Sequence, residues 1–150
     1  MKLAEALIRR ADIQKHIEQL ESRLRDNASY QEGTTPTENP HLMLKELSDD
    51  INELQDLIAR INKTNFLTQY EGRTLTEMMA EKDARSKEIT VIRKFLKDAS
   101  ENRDFFNRNE IRRFPSVDVP ELRRQVDEKA RELRLLDIKL QELNWKTDLM

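Results

Sequence analysis

Residues 43–61 read Met43-Leu44-Lys45-Glu46-Leu47-Ser48-Asp49-Asp50-Ile51-Asn52-Glu53-Leu54-Gln55-Asp56-Leu57-Ile58-Ala59-Arg60-Ile61. Leu44, Leu47, Ile51, Leu54, Ile58 and Ile61 recur at alternating steps of three and four. A helix of 3.6 residues per turn stacks such positions on one face, whereas a half-buried strand would alternate every second residue. The stretch therefore predicts a long amphipathic helix. It starts at Asn39-Pro40, a capping residue followed by a proline at the first helical position, where no backbone N–H is needed. The seam continues to Asn65, which places this helix at about 40–66.

The same spacing extends in both directions. Upstream, Leu3, Ala6, Ile13, Ile17, Leu20 and Leu24 predict a helix over about 2–28. Gly33, Pro36 and Pro40 then break the period and predict a loop. Downstream, Gln69-Tyr70-Glu71-Gly72-Arg73 reads as a turn. Thr74 and Glu77 have the spacing of a capping box, in which each side chain satisfies the other's backbone N–H. They open a helix over about 75–100, with Leu75, Met78, Ile89, Ile92, Leu96 and Ala99 inside. Asp118, with Pro120 and Glu121 behind it, caps a last helix over about 119–145. Its seam is Leu122, Val126, Leu133, Leu136, Leu140 and Leu143.

Between these last two helices, residues 101–118 carry no helical period. They predict a long crossover with a short extended stretch at 110–114, its Phe105, Phe106 and Phe114 covering one end of the molecule.

The fold class is thus all-α: four long amphipathic helices in one domain, 1–150. Connected by shortish loops, they pack most simply as an antiparallel bundle, up-down-up-down first and two coiled-coil hairpins second. Composition agrees. The 150 residues include only 2 Gly and 4 Pro, too few for the turns of a β-sandwich, and 37% hydrophobic residues suffice if well patterned. Net charge is −2 with both signs interspersed, so no bulk field favours nucleic acid or an anionic membrane.

Projecting each helix at 100° per residue turns some polar side chains inward. In the up-down-up-down arrangement, Arg10, Asn62, Asn65, Lys82, Arg85, Asp137 and Asn144 gather toward one end, as the ligand-site candidate of this sequence. Glu21 and Lys129 fall at one height further along and are expected to pair. Buried charges need partners, because desolvation costs several kcal/mol per ion. Three cations facing Asp137 imply that Asp83, Glu5, Glu81 or Glu142 leans in, or that an anion binds. Fixing helix register is the plainer role for such residues.

Catalytic motifs are missing. With 0 Cys there is no thiolate chemistry, disulfide or cysteine-bound zinc. Asp12 and His16 lie four apart, yet no Glu-x-x-His accompanies them, so no metal and no cofactor is expected. Gly33 and Gly72 are isolated and form no phosphate loop. Arg103 to Arg113 interleave with aromatics as a stacking surface for nucleic acid would, but Asp104 and Glu110 dilute that field, so nucleic acid is not the expected partner. Neither a signal-peptide pattern nor a run of ~20 apolar residues is present, and a cytoplasmic protein is the expectation. Ala4, Ile8 and Ala11 lie opposite the first seam, and Leu135 and Ile138 off the last. Such outlying hydrophobes predict a homo-oligomer.

Four stretches taken together resemble the septicolysin-like family of small bacterial proteins. They are Met1-Lys2-Leu3-Ala4-Glu5-Ala6-Leu7, Arg60-Ile61-Asn62-Lys63-Thr64-Asn65, Gly72-Arg73-Thr74-Leu75-Thr76 and Gln141-Glu142-Leu143-Asn144-Trp145. The resemblance implies a cytolysin and transfers no catalytic residue. The residues themselves favour a non-enzymatic, self-associating helical protein that acts through protein contacts. A membrane-active cytolysin and a small-anion or metabolite binder are the alternatives.

Overall fold

Local signals decide where each helix starts. In the computed structural model, which describes residues 1–101 and 113–150, Asn39 Oδ1 accepts from the His41 N–H at 3.0 Å with Pro40 at the first helical position. The Thr74–Glu77 capping box closes from both sides: the Glu77 N–H donates to Thr74 Oγ1 at 3.1 Å, and the Thr74 N–H to Glu77 Oε2 at 2.7 Å. Asp118 Oδ1 accepts from the Glu121 N–H at 3.2 Å. Such caps satisfy N–H groups that the first helical turn leaves unpaired.

The helices are α1 (Leu3–Asp26), α2 (Pro40–Leu67), α3 (Leu75–Glu101) and α4 (Val119–Lys146). The all-α class therefore stands. The turn expected at 69–73 is a small ribbon, β1 (Gln69–Tyr70) against β2 (Arg73–Thr74). Glu71 and Gly72 at its tip have φ of 49° and 78°, the left-handed pair that a tight hairpin turn requires. Most of the 101–118 crossover, with Phe105, Phe106 and residues 110–112 of the expected 110–114 extended stretch, lies outside the described residues. Phe114 is 80% exposed and so does not take the covering role expected of it over the described residues.

The chain divides into two compact units, Met1–Gln69 with Leu143–Met150, and Tyr70–Glu142. The first is a helical hairpin of α1 and α2. Arg9 pairs with Glu53 at 2.6 Å, His16 with Asp50 at 2.6 Å and Arg23 with Glu38 at 2.6 Å. Partner numbers fall as the α1 numbers rise, so the helices are antiparallel. Leu3, Ala6, Ile13 and Leu20 of α1 and Met43, Leu57 and Ile61 of α2 form the core. Asn27 fastens the connecting loop: Nδ2 donates to the Arg23 carbonyl at 2.9 Å, and Oδ1 accepts from the Glu38 N–H at 2.9 Å. The Leu3 N–H donates to the Thr147 carbonyl at 2.9 Å, and the Met150 N–H to Thr64 Oγ1 at 3.0 Å.

The second unit is the hairpin of α3 and α4. Ile89, Leu96, Val126 and Ala130 are its buried cluster, with Ile92, Val119, Leu122 and Leu133 packed against them. Lys82–Asp137 at 2.6 Å, Arg85–Glu132 at 2.9 Å and Glu88–Lys129 at 3.0 Å again run antiparallel.

The phase of α2 differs from expectation. Met43, Leu57 and Ile61 are buried and Leu47, Asp50 and Leu54 half-buried, whereas Leu44, Ile51 and Ile58 are 51%, 46% and 38% exposed. The apolar stripe of α2 is wider than one partner helix can cover, and α1 takes its other edge. Leu140 is buried, and Leu47 and Leu133 are half-buried, as their register predicts.

Candidate functional site

The α1–α2 seam of one hairpin and the α3–α4 seam of the other hold the polar residues singled out above. Arg10, Asn62, Asn65 and Asn144 belong to the first unit, and Lys82, Arg85 and Asp137 to the second. Arg10 occupies a seam position between Ala6 and Ile13 and is half-buried. Asn62 is exposed, Asn65 is buried at 8% exposure, and Asn144 is half-buried.

In the second unit the expected partners do assemble. Lys82 reaches Asp137 at 2.6 Å, and Arg85 reaches Glu81 at 2.6 Å and Glu132 at 2.9 Å. Glu81 is thus the carboxylate that leans in. Arg73 also donates to Glu81, and that hydrogen bond, outweighing burial, holds its carboxyl below the ordinary range with Arg85 adding to the effect. The expected pairing of Glu21 with Lys129 does not form: Lys129 bonds Glu88 at 3.0 Å, and Glu21 bonds Arg25 at 2.9 Å.

Lys82, Arg85 and Lys129 all stand where the three–four spacing would place an apolar residue. Each is half-buried and carries its charge to a carboxylate, as long cationic side chains at an apolar seam do. A cavity of about 310 Å³ beside Arg85, Glu88, Ile89 and Lys129 marks where they leave the α3–α4 seam underfilled.

His16 meets carboxylates of α2. Its Nδ1 lies 2.6 Å from Asp50 and its Nε2 3.6 Å from Glu46, and no group of metal-ligating side chains occurs among the described residues. Among those residues, too, no helix is long and apolar enough to cross a membrane.

The surface that sequence reasoning missed is the ridge Leu44–Ile51–Ile58. These residues lie seven apart on one column of α2, directly beside its buried seam. The signal was present: Met43 and Leu57 widen the α2 stripe beyond the two positions per heptad that a two-helix seam uses. Three apolar positions per heptad belong to helices with more than one neighbour. Of the outlying hydrophobes noted above, Ala4 is buried at 6% exposure, while Ile8, Leu135 and Ile138 remain 54%, 59% and 63% exposed.

Comparison with known proteins gives a consistent picture. A family described as of unknown function, DUF6847, matches residues 10–149. A crystal structure described as a functionally unknown conserved protein from Corynebacterium diphtheriae is 38% identical, with a TM-score of 0.95 over 100% of this chain and 99% of that one. No curated protein matches.

Proposed function

The chain belongs to the family of unknown function DUF6847, and from the geometry above we propose that it is a non-enzymatic, self-associating helical protein acting through protein contacts. The observation that carries this reading is the exposed ridge of Leu44, Ile51 and Ile58. A two-helix seam has no use for a third apolar column on α2, and an exposed apolar column invites association.

A second copy of the chain suits that column. Two α2 helices crossing antiparallel about Ile51 set Leu44 against Ile58 on both sides. The positions beside the ridge on its open side, Ser48 and Gln55, are uncharged, so the pairing forces no charges of one sign together there. Like charges would have argued against self-pairing. The closed two-fold contact uses one patch on both copies, the commonest form of soluble homo-oligomer.

Sedimentation equilibrium over a concentration series tests this. The wild type rises to twice its 17.9 kDa mass, and Ile51→Glu stays at 17.9 kDa with unchanged helical circular dichroism. A wild-type mass of 17.9 kDa at every concentration contradicts the proposal. Rapid dye release from liposomes at low protein concentration contradicts it as well and favours the cytolysin that the sequence resemblance implies.

A further inference from the structure

The C-terminal turns of α3 and the first turns of α4 border an open cavity of about 430 Å³, within the size range of small-molecule sites. Its floor is apolar, made by the buried Leu96 and Val126. Three cations line it, Arg93, Lys97 and Arg123, against two carboxylates, Glu101 and Asp127, leaving an excess of one positive charge. The helix ends add little: the negative C-terminus of α3 and the positive N-terminus of α4 lie side by side and offset each other. Side chains therefore set the field.

The two arginines are not spent on the carboxylates of the described residues. Among the described residues, Arg9, Arg23, Arg25, Arg60, Arg73, Arg85 and Arg124 sit against a carboxylate. Among the described residues, no carboxylate forms an ion pair with Arg93 or Arg123. Lys97 meets Glu101 only at 3.8 Å. Arg123 is aimed by a neutral partner: it donates to Ser100 Oγ at 3.0 Å, while that hydroxyl donates to the Leu96 carbonyl at 2.8 Å. The Ser100 proton is thus committed to the backbone, and its oxygen is left to accept from the guanidinium. Ser100 positions the arginine without neutralising it.

We propose that this cavity binds a small-molecule phosphate monoester. Arg93 from α3 and Arg123 from α4 hold the phosphate, and the ester's apolar group rests on Leu96 and Val126. Two planar guanidinium forks offer more donors than one carboxylate can accept, whereas the oxygens of a phosphate can engage both. Lys97 adds charge at the rim. The site belongs to the Tyr70–Glu142 unit and does not rest on self-association.

Phenyl phosphate is the probe, titrated by calorimetry into the full chain, with inorganic phosphate and benzoate as parallel titrants. Phenyl phosphate is expected to bind the tightest of the three and to raise the melting temperature. Arg93→Gln and Arg123→Gln each weaken it roughly tenfold or more, the effect of losing one charge-assisted contact. Arg131→Gln, on α4 outside the cavity lining, leaves binding unchanged and reports that a guanidinium lost elsewhere does nothing. Unchanged affinity in the Arg93→Gln, Arg123→Gln double variant overturns the site, as does the absence of heat from phenyl phosphate at millimolar concentration. Benzoate binding as tightly overturns the phosphate assignment, and inorganic phosphate binding as tightly overturns the role of the apolar floor.

Discussion

Replacing Lys129 by leucine should stabilise the protein, although it removes an ion pair. Lys129 stands at a seam position of α4, beside the buried Ile89 and a cavity of about 310 Å³. Its bond to Glu88 is 3.0 Å long, but the two side chains are 43% and 50% exposed. Water competes for both charges, and pairs of this kind contribute about 0–1 kcal/mol. A leucine fully buried contributes about 1.5–3 kcal/mol relative to an exposed one. At a position this open, roughly half to two thirds of that is realised, about 1–2 kcal/mol. Glu88 is left solvated rather than stranded, so no buried charge is orphaned. The net gain is about 1 kcal/mol, which raises the melting temperature of a chain this size by roughly 2–4 °C. Urea unfolding followed by circular dichroism, with calorimetry for the temperature, measures both. A loss of more than about 1 kcal/mol would refute the reasoning and make Lys129 a cation that the α3–α4 hairpin needs for its alignment.

Two other outcomes follow from the same packing and charges. Leu20→Ala, at 0% exposure in the α1–α2 core, should cost about 2–5 kcal/mol in urea unfolding, while Leu135→Ala, at 59% exposure, should cost under about 0.5. A pH series should show stability falling on acidification. Arg124 and Gln125 draw the Glu121 carboxyl from its ordinary 4.5 to about 2, Arg23 lowers Glu38, and Arg9 lowers Glu53. Each folded-state value is depressed, so the contribution is complete above pH 4.5 and disappears as the pH falls toward about 2. Because these groups are exposed, added salt should shrink the effect. Stability that is flat between those limits at low salt would contradict the ion-pair assignments.

What could be read from the chain before any coordinates was whatever depends on near neighbours. Asn39-Pro40, Thr74 with Glu77, and Asp118 each act within three residues, and each caps its helix as its chemistry requires. Helix extent followed from the same local logic. Ion-pair partners were less legible. With 37% of residues charged, every cation has several carboxylates within reach, and the choice depends on which helices are neighbours. Glu21 was matched to Lys129 on an assumed adjacency, while Glu88, on the helix that α4 does pair with, takes that lysine.

The phase of α2 failed for a different reason. Its apolar stripe is broad enough to contain two acceptable seams, and periodicity alone does not say which edge α1 covers. Leu44, Ile51 and Ile58 lie on the edge that α1 leaves uncovered, and their exposure marks the candidate interface. The pocket between α3 and α4 carried no sequence signal, since what sets Arg93 and Arg123 apart is that α3 and α4 bring them to one groove.

The interface is open to a direct geometric measurement, because the chain contains 0 Cys and any thiol introduced is unique. Disulfide formation needs Cα atoms about 4.4–6.8 Å apart, a separation that residues facing each other on a two-fold axis meet and distant ones do not. Under mild oxidation, Ile51→Cys should dimerise covalently far faster than Lys94→Cys, an exposed position on α3. Equal rates for the two single-cysteine proteins would mean that α2 does not meet its own copy, and would contradict the function proposed for this chain.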